Sequence, residues 1–214
     1  YTTYTLGRSE PEELVRKLAP AAPFKMIKLK LGGPDDLEAL SAFRTISKKA
    51  FCADVNGGWP DREVAVLNAE ALREAGAAFI EQPFPAGREE DVLWLRERVD
   101  VPIILDESVR RLGDLKGIES VCDGVNVKLM KSTGIREALQ MIRALKTAGL
   151  KTVLGAMAES SCAVTAAAHI AGLADWVDLD GPLLIDNDPF TGVTYSDGRV
   201  ILPQGCGAGT MRIG

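Results

Sequence analysis

Short apolar, β-branched runs recur along this chain about every 25 residues, and between many of them the apolar positions open out to the spacing of an amphipathic helix. The runs predict strands at about 2–6, 26–31, 51–56, 79–83, 103–108, 124–129, 152–157 and 176–181. Helix signals fall between them. A Ser9/Glu12 capping box opens a helix reaching Leu18, Asp61 caps another that ends near Gly76, and Ile135 to Ala148 forms a third that stops at Gly149. Strand then helix, repeated, means parallel pairing through crossovers. Eight such units predict an α/β fold, a small TIM-type (β/α)7β barrel over residues 1–181. A doubly wound open sheet would use fewer strands and a glycine-rich phosphate turn, and no GxGxxG occurs. Residues 182–214 break the rhythm. There VTYSDGRVIL sets two alternating strands around Asp197-Gly198, a hairpin expected to lie outside the barrel.

Composition narrows the function classes. A net charge of -5 gives no basic footprint for nucleic acid or an anionic membrane, and no apolar run approaches the roughly 20 residues that span a bilayer. Cys52, Cys122, Cys162 and Cys206 lack CxxC spacing and read as reduced, structural thiols, which suits a cytoplasmic protein. The opening YTTYTLG has neither an initiator Met nor a signal segment, so the chain reads as a fragment or a processed product.

Barrel enzymes work at the carboxyl ends of their strands. The third, fourth and fifth predicted strands end in ADVN, IEQP and LDES, which sets Asp54, Glu81 and Asp106 one repeat apart on adjacent strands. Three carboxylates at one level repel one another unless a cation sits among them. Oxygen ligands without Cys or His favour a hard divalent ion, Mg²⁺, over zinc. Solvation or helix capping would explain one such residue but not three in register.

The second strand, MIKLKL, carries Lys28 and Lys30 on one face, while Ile27, Leu29 and Leu31 fill the other. Both lysines must point into the barrel, and burying an ammonium without a partner is costly. The sixth strand, NVKLMKSTG, brings Lys128, with Lys131 just after it. Strands two and six stand four apart in a ring of eight, so Lys30 and Lys128 face each other across the metal arc. That is a geometry for taking a proton from one face of a carbon and returning it to the other. A nearby cation and a like-charged neighbour are expected to lower a lysine pKa toward the working pH. The eighth strand, WVDLDGP, puts Asp178 and Asp180 on one face, where a cationic ligand group or helix capping would account for them. In the rim segment GAMAESS, Glu159 and Ser160 either contribute to the pocket or cap the next helix.

Taken together, KLK, DVN, EQP, DES, KLMKSTG and DLD resemble the enolase superfamily, most closely dipeptide epimerases of its muconate-lactonizing subgroup. The resemblance implies Asp54, Glu81 and Asp106 as ligands of Mg²⁺, Lys30 and Lys128 as acid/base catalysts, Lys28 on the substrate carboxylate, and Asp178 and Asp180 on its α-ammonium group. It implies epimerisation of a dipeptide such as L-Ala-D/L-Glu through an enediolate. Muconate cycloisomerase, o-succinylbenzoate synthase and N-acylamino acid racemase activities share the metal and the lysines, though their substrates lack the free ammonium. The mandelate-racemase branch uses an Asp/His pair, whereas His169 sits in a helix pattern, AAAHIAG. A homo-oligomer is implied. So is an N-terminal α+β capping domain that nothing in this chain supplies, against which the tail from 182 onward would pack. Two other classes stay open: a Schiff-base aldolase through Lys128, which leaves the carboxylates unexplained, and an inactive barrel fragment.

Overall fold

The computed structural model describes residues 1–9 and 11–213, with only the backbone described at Pro11 and Glu12. The eight expected strands are all present: β1 Thr3–Leu6, β2 Met26–Lys30, β3 Ala50–Asp54, β4 Ala77–Glu81, β5 Ile103–Leu105, β6 Gly124–Lys128, β7 Lys151–Gly155 and β8 Trp176–Asp178. They pair in parallel in sequence order. Six helices cross between them: α1 Pro11–Leu18, α2 Asp36–Ile46, α3 Arg62–Glu74, α4 Glu89–Arg96, α5 Ile135–Thr147 and α6 Ser161–Ala168.

Local chemistry accounts for most of the boundaries. The Asp61 carboxylate accepts from the Val64 N–H at 2.9 Å and caps α3, and Gly76 and Gly149 take the left-handed conformation that ends α3 and α5. Glu12, half of the expected Ser9/Glu12 box, lies outside the described side chains. Between β5 and β6 two 3₁₀ turns, Leu112–Leu115 and Ile118–Ser120, stand in for a helix. Gly113 and Gly117 interrupt that stretch, and Gly117 has a φ of 79° that breaks any continuous helix. Among the described residues no helix is long and apolar enough to cross a membrane.

β1 and β8 complete the ring through side chains. Leu179 N–H donates to Thr2 Oγ1 at 2.7 Å, Thr3 Oγ1 donates to Asp178 at 2.5 Å, and Thr5 N–H donates to Asp180 at 2.6 Å. The seam is therefore built from the two aspartates of the DLD stretch.

Strand alternation separates two cores. Ile27, Leu29, Phe51, Ala53, Ile103, Leu105, Val125 and Val127 point outward into the layer between sheet and helices. Inside the barrel, Cys52, Phe79, Ile104 and Val153 form a small apolar plug, closed by the tilted Phe79–Trp176 pair at 4.8 Å. The next inward residues along those strands are Asp54, Glu81, Asp106 and Gly155.

After β8 the chain forms β9 Phe190–Thr191, paired with β12 Met211–Arg212, and the hairpin of β10 Thr194–Ser196 and β11 Arg199–Ile201. The hairpin forms a sheet of its own, separate from the eight-stranded one. Asp197 and Gly198 both have positive φ, 50° and 72°, as its tight turn requires. Thr2 N–H donates to Gly198 O at 2.9 Å and the Tyr195 hydroxyl to Leu179 O at 2.7 Å, so the hairpin is pinned to the β1–β8 seam.

Candidate active site

At the carboxyl ends of the strands lies a cavity of about 370 Å³ whose lining includes Lys28, Lys30, Asp106, Lys128, Asp178 and Asp180. Strand register aligns several of the charged strand ends: Lys30 pairs with Asp54, Asp54 with Glu81, and Gly155 with both Lys128 and Asp178, while Lys28 pairs with Cys52 and reaches up from one step below. Asp54 and Glu81 are fully buried beneath the cavity floor.

Three carboxylates surround one ammonium group at the centre. Lys28 Nζ stands 2.9 Å from Asp54 Oδ2, 3.0 Å from Glu81 Oε1 and 2.7 Å from Asp178 Oδ2. Burial opposes the Lys28 charge, but Asp178, Asp54 and Glu81 outweigh it and raise the pKa well above its ordinary value. Burial would also raise Asp54; Lys28 and Lys30 overcome it and hold that carboxyl below its usual range. Glu81 goes the other way. Its burial, together with the charge on Asp54, pushes it up to about 8, despite Lys28. One lysine cannot neutralise three carboxylates, and the imbalance falls on Glu81.

Lys30 Nζ donates to Asp54 Oδ2 at 2.7 Å and to Asn56 Oδ1 at 2.8 Å, and its side chain remains 31% exposed. Lys128 is far more enclosed, at 6%, and donates to Asp106 Oδ2 at 2.7 Å. Burial pulls the Lys128 pKa down, yet Asp106 wins and leaves it raised. The nearest charge to Lys128 here is that carboxylate, whereas the lowering expected from sequence comes from a bound cation together with a second lysine. Asp106 itself is pushed up by burial and down, more strongly, by Lys131 and Lys128, and ends well below the usual carboxyl range.

Among the described residues no three Asp, Glu, His or Cys side chains gather closely enough to hold an ion as they stand, since ammonium groups lie between them. The donor set nevertheless fits a hard divalent cation. All three carboxylates stand at the ends of adjacent strands, and the buried Glu81 Oε2 has no hydrogen-bond partner. Asn126 Nδ2 donates to the other oxygen of Glu81 at 2.9 Å and so holds the group from behind.

Asp178 and Asp180 line the wall formed by the seam. Both Asp178 oxygens are engaged, by Thr3 and by Lys28. Burial and the neighbouring Asp178 push Asp180 up to about 6. Glu159 and Ser160 stand behind the rim, where Ala156, Met157 and Ala158 supply the lining. Glu159 accepts from Met157 N–H at 2.7 Å, and Ser160 is the N-cap residue of α6 without a side-chain capping bond. His169 is exposed at the end of α6, facing Ala208 O at 3.2 Å, away from the cavity.

Several residues of the site carried no sequence signal of their own. Gln82 and Asn56 have positive φ, 40° and 47°, an unusual conformation for residues with side chains. Gln82 uses it to bridge β4 and β5: its Oε1 accepts from Asp106 N–H at 2.8 Å and its Nε2 donates to Ser108 Oγ at 2.8 Å. Asn56 joins Lys30 to Glu107, donating to the latter at 3.0 Å. Lys131, visible in sequence only as a neighbour of Lys128, lies almost fully buried beside Asp106.

Residues 10–211 match the model of a family described as enolase C-terminal domain-like. The L-Ala-D/L-Glu epimerase of Bacteroides thetaiotaomicron is 38% identical over 213 residues, which make up 99% of this chain and 56% of that protein. Two solved structures superpose with a TM-score of 0.91. One is a dipeptide epimerase from Cytophaga hutchinsonii complexed with Mg and the dipeptide D-Ala-L-Val, 28% identical, matching 99% of this chain and 61% of its own. The other is an N-succinyl Arg/Lys racemase from Bacillus cereus, 27% identical, matching 99% and 60%. The chain thus spans between 56% and 61% of the length of these relatives. On the match over nearly its whole length, and on a barrel with lysines and carboxylates at its strand ends, this chain belongs to the enolase C-terminal domain-like family.

Proposed function

We propose that the full-length protein is a Mg²⁺-dependent dipeptide epimerase that inverts the α-carbon of the C-terminal residue by two-base 1,1-proton transfer. The observation that carries this reading is the placement of two lysines from strands four apart, Lys30 and Lys128, in the lining of one cavity, each beside a different carboxylate. One lysine, in its neutral form, takes the α-proton on Nζ; the other, as an ammonium, delivers a proton to the opposite face of the resulting enediolate. After one turnover the lysines have exchanged protonation states, and the reverse reaction uses them in the opposite order. Asp54, Glu81 and Asp106 would hold the cation, whose charge stabilises negative charge developing on the substrate carboxylate. Lys28 adds a fixed positive charge at the cavity floor. Asp178 and Asp180 present negative charge at the seam, complementary to an α-ammonium group. Above the rim, exposed Met130, Met157 and Leu184 would suit coverage by a capping domain, with the tail packed against it.

Racemisation of an N-acylated amino acid is the second reading. It is favoured by the engagement of both Asp178 oxygens within the protein, which leaves less negative charge for a substrate ammonium. Deuterium incorporation in D₂O separates the two. The full-length protein with Mg²⁺ is expected to exchange the α-proton of the C-terminal residue across a dipeptide library. Exchange only with N-succinyl or N-acetyl amino acids would transfer the assignment to the second reading, and exchange with neither would refute both.

A further inference from the structure

The function proposed above leaves one buried cation of the site without a task. The Lys131 side chain is 8% exposed, and its ammonium lies 2.6 Å from both Asp106 Oδ1 and Asp106 O, 2.7 Å from Asn126 O and 2.9 Å from Val109 O. Three of these acceptors are backbone carbonyls: one at the end of β5, one in the loop beyond it and one in β6. Burial lowers the Lys131 pKa, with Asp106 opposing. Three ammonium protons thus serve four acceptors, and none remains for a substrate.

The two Asp106 oxygens are divided between two lysines. Oδ1 takes Lys131 and Oδ2 takes Lys128. The terminal torsion of an aspartate is broad, so a carboxylate with one partner is free to turn. Two partners on different oxygens fix it, and Gln82 fixes the adjoining backbone through Asp106 N–H.

We propose that Lys131 is a positioning residue. It holds Oδ1 so that Oδ2 faces Lys128 and the cavity, and through the Asn126 carbonyl it sets the spacing between the acidic end of β5 and the lysine of β6. The proposal rests on the reading of Asp106 as a ligand of the cation. It differs from a simple structural staple in one measurable respect: a staple supports the fold, whereas a positioning residue also raises the affinity of the folded protein for the ion.

The test is calorimetric titration of the full-length protein with Mg²⁺, alongside thermal unfolding. Lys131→Met retains most of the length but not the charge, and is expected to weaken Mg²⁺ binding at least tenfold in protein that remains folded. Lys131→Arg restores the charge on a planar group that cannot aim protons at three divergent carbonyls, and is expected to recover only part of the loss. Asp106→Asn serves as the reference. Affinity changed less than threefold in Lys131→Met, with a large loss in Asp106→Asn, would reduce Lys131 to a staple and overturn the proposal alone. No loss in either variant would remove Asp106 from the metal site, and the positioning role with it. If Lys131→Met does not fold, Lys131→Arg decides: a threefold or greater loss supports the proposal and a smaller one overturns it.

Discussion

The interior of this barrel has two floors built by the same strands. On the lower floor Cys52, Phe79, Ile104 and Val153 pack without a charge; one step further along, Asp54, Glu81, Asp106 and Gly155 take their places, joined by Lys28, Lys128 and Asp178. Both floors are almost as completely buried. The lower one follows ordinary core physics, in which removing apolar surface from water stabilises the fold. On the upper one, desolvation acts against every one of these charges; counter-charges outweigh it at Lys28, Asp54, Asp106 and Lys128 but not at Glu81 and Asp180. At those two that compensation fails, and burial leaves Glu81 raised to about 8 and Asp180 to about 6. The comparison teaches that a two-residue step along β3, β4 and β5 separates packing from chemistry, while on β2 Lys28 starts beside Cys52 and reaches up to Asp54 and Glu81.

The largest expected effect lies on the upper floor. Lys128→Ala, measured by deuterium exchange and turnover in the full-length protein, is expected to lower activity by about 10³-fold, the scale of a lost general acid/base. Unfolding should show the protein still folded. If turnover fell less than tenfold, Lys128 would be a member of the charge network without a proton-transfer role.

On the lower floor Phe79→Ala should do the opposite. Truncating a fully buried aromatic ring in contact with Trp176 is expected to cost about 3–5 kcal/mol in denaturant unfolding. Mg²⁺ affinity and kcat of the remaining folded protein should stay near wild type. A large loss of Mg²⁺ affinity would mean that the floors are mechanically coupled and would break the comparison.

Asp180 offers a test with a definite sign. Its folded pKa of about 6 lies above the ordinary 3.8, so between those values the folded state binds more protons than the unfolded one and stability falls as pH rises. A shift of that size amounts to about 2–3 kcal/mol, present in full below the unfolded pKa and lost by about pH 7. Asp180→Asn removes the titration and is expected to flatten this fall, leaving the variant more stable than wild type at pH 8. Dipeptide turnover should drop at the same time. Unchanged turnover would free Asp180 from any substrate role and leave it a member of the β1–β8 seam.

Much of this division was legible before the fold was described. Period-two alternation in MIKLKL and the one-repeat spacing of Asp54 and Glu81 require only that strands alternate and that the barrel repeat is regular, so both carry directly from sequence to space, while Asp106 stands two residues beyond Ile104, the β5 partner of Glu81. What sequence did not reveal depends on contacts between distant residues. The Lys131 clamp arises because a turn after β6 returns its side chain to the end of β5. Gln82 and Asn56 become informative only through their positive φ, a property of the folded backbone. The threonines of β1 read as ordinary strand residues, and their bonds to Asp178 and Asp180 exist only because the ring closes there.

The smallest expected effect sharpens the boundary between the floors. β7, like β1, contributes no charge to the upper floor: where its neighbours carry Lys128 and Asp178, it has Gly155. A methyl group added there would stand 2.5 Å from Asn126 Oδ1 and 2.9 Å from Nδ2, too close for either to remain in place. Asn126 is the residue that holds Glu81 from behind, so the missing side chain on β7 makes room for the amide that orients a carboxylate on β4. Gly155→Ala should therefore cost about 1–3 kcal/mol in stability, the usual scale of overpacking. It should also weaken Mg²⁺ binding severalfold, by shifting Asn126 away from Glu81. Pairing it with Asn126→Ala makes the cause testable: with the amide gone the added methyl has nothing to displace, and the Gly155→Ala loss in affinity should largely vanish in the double variant. Full additivity would instead place the effect in the β7 backbone and exclude Asn126 as its route.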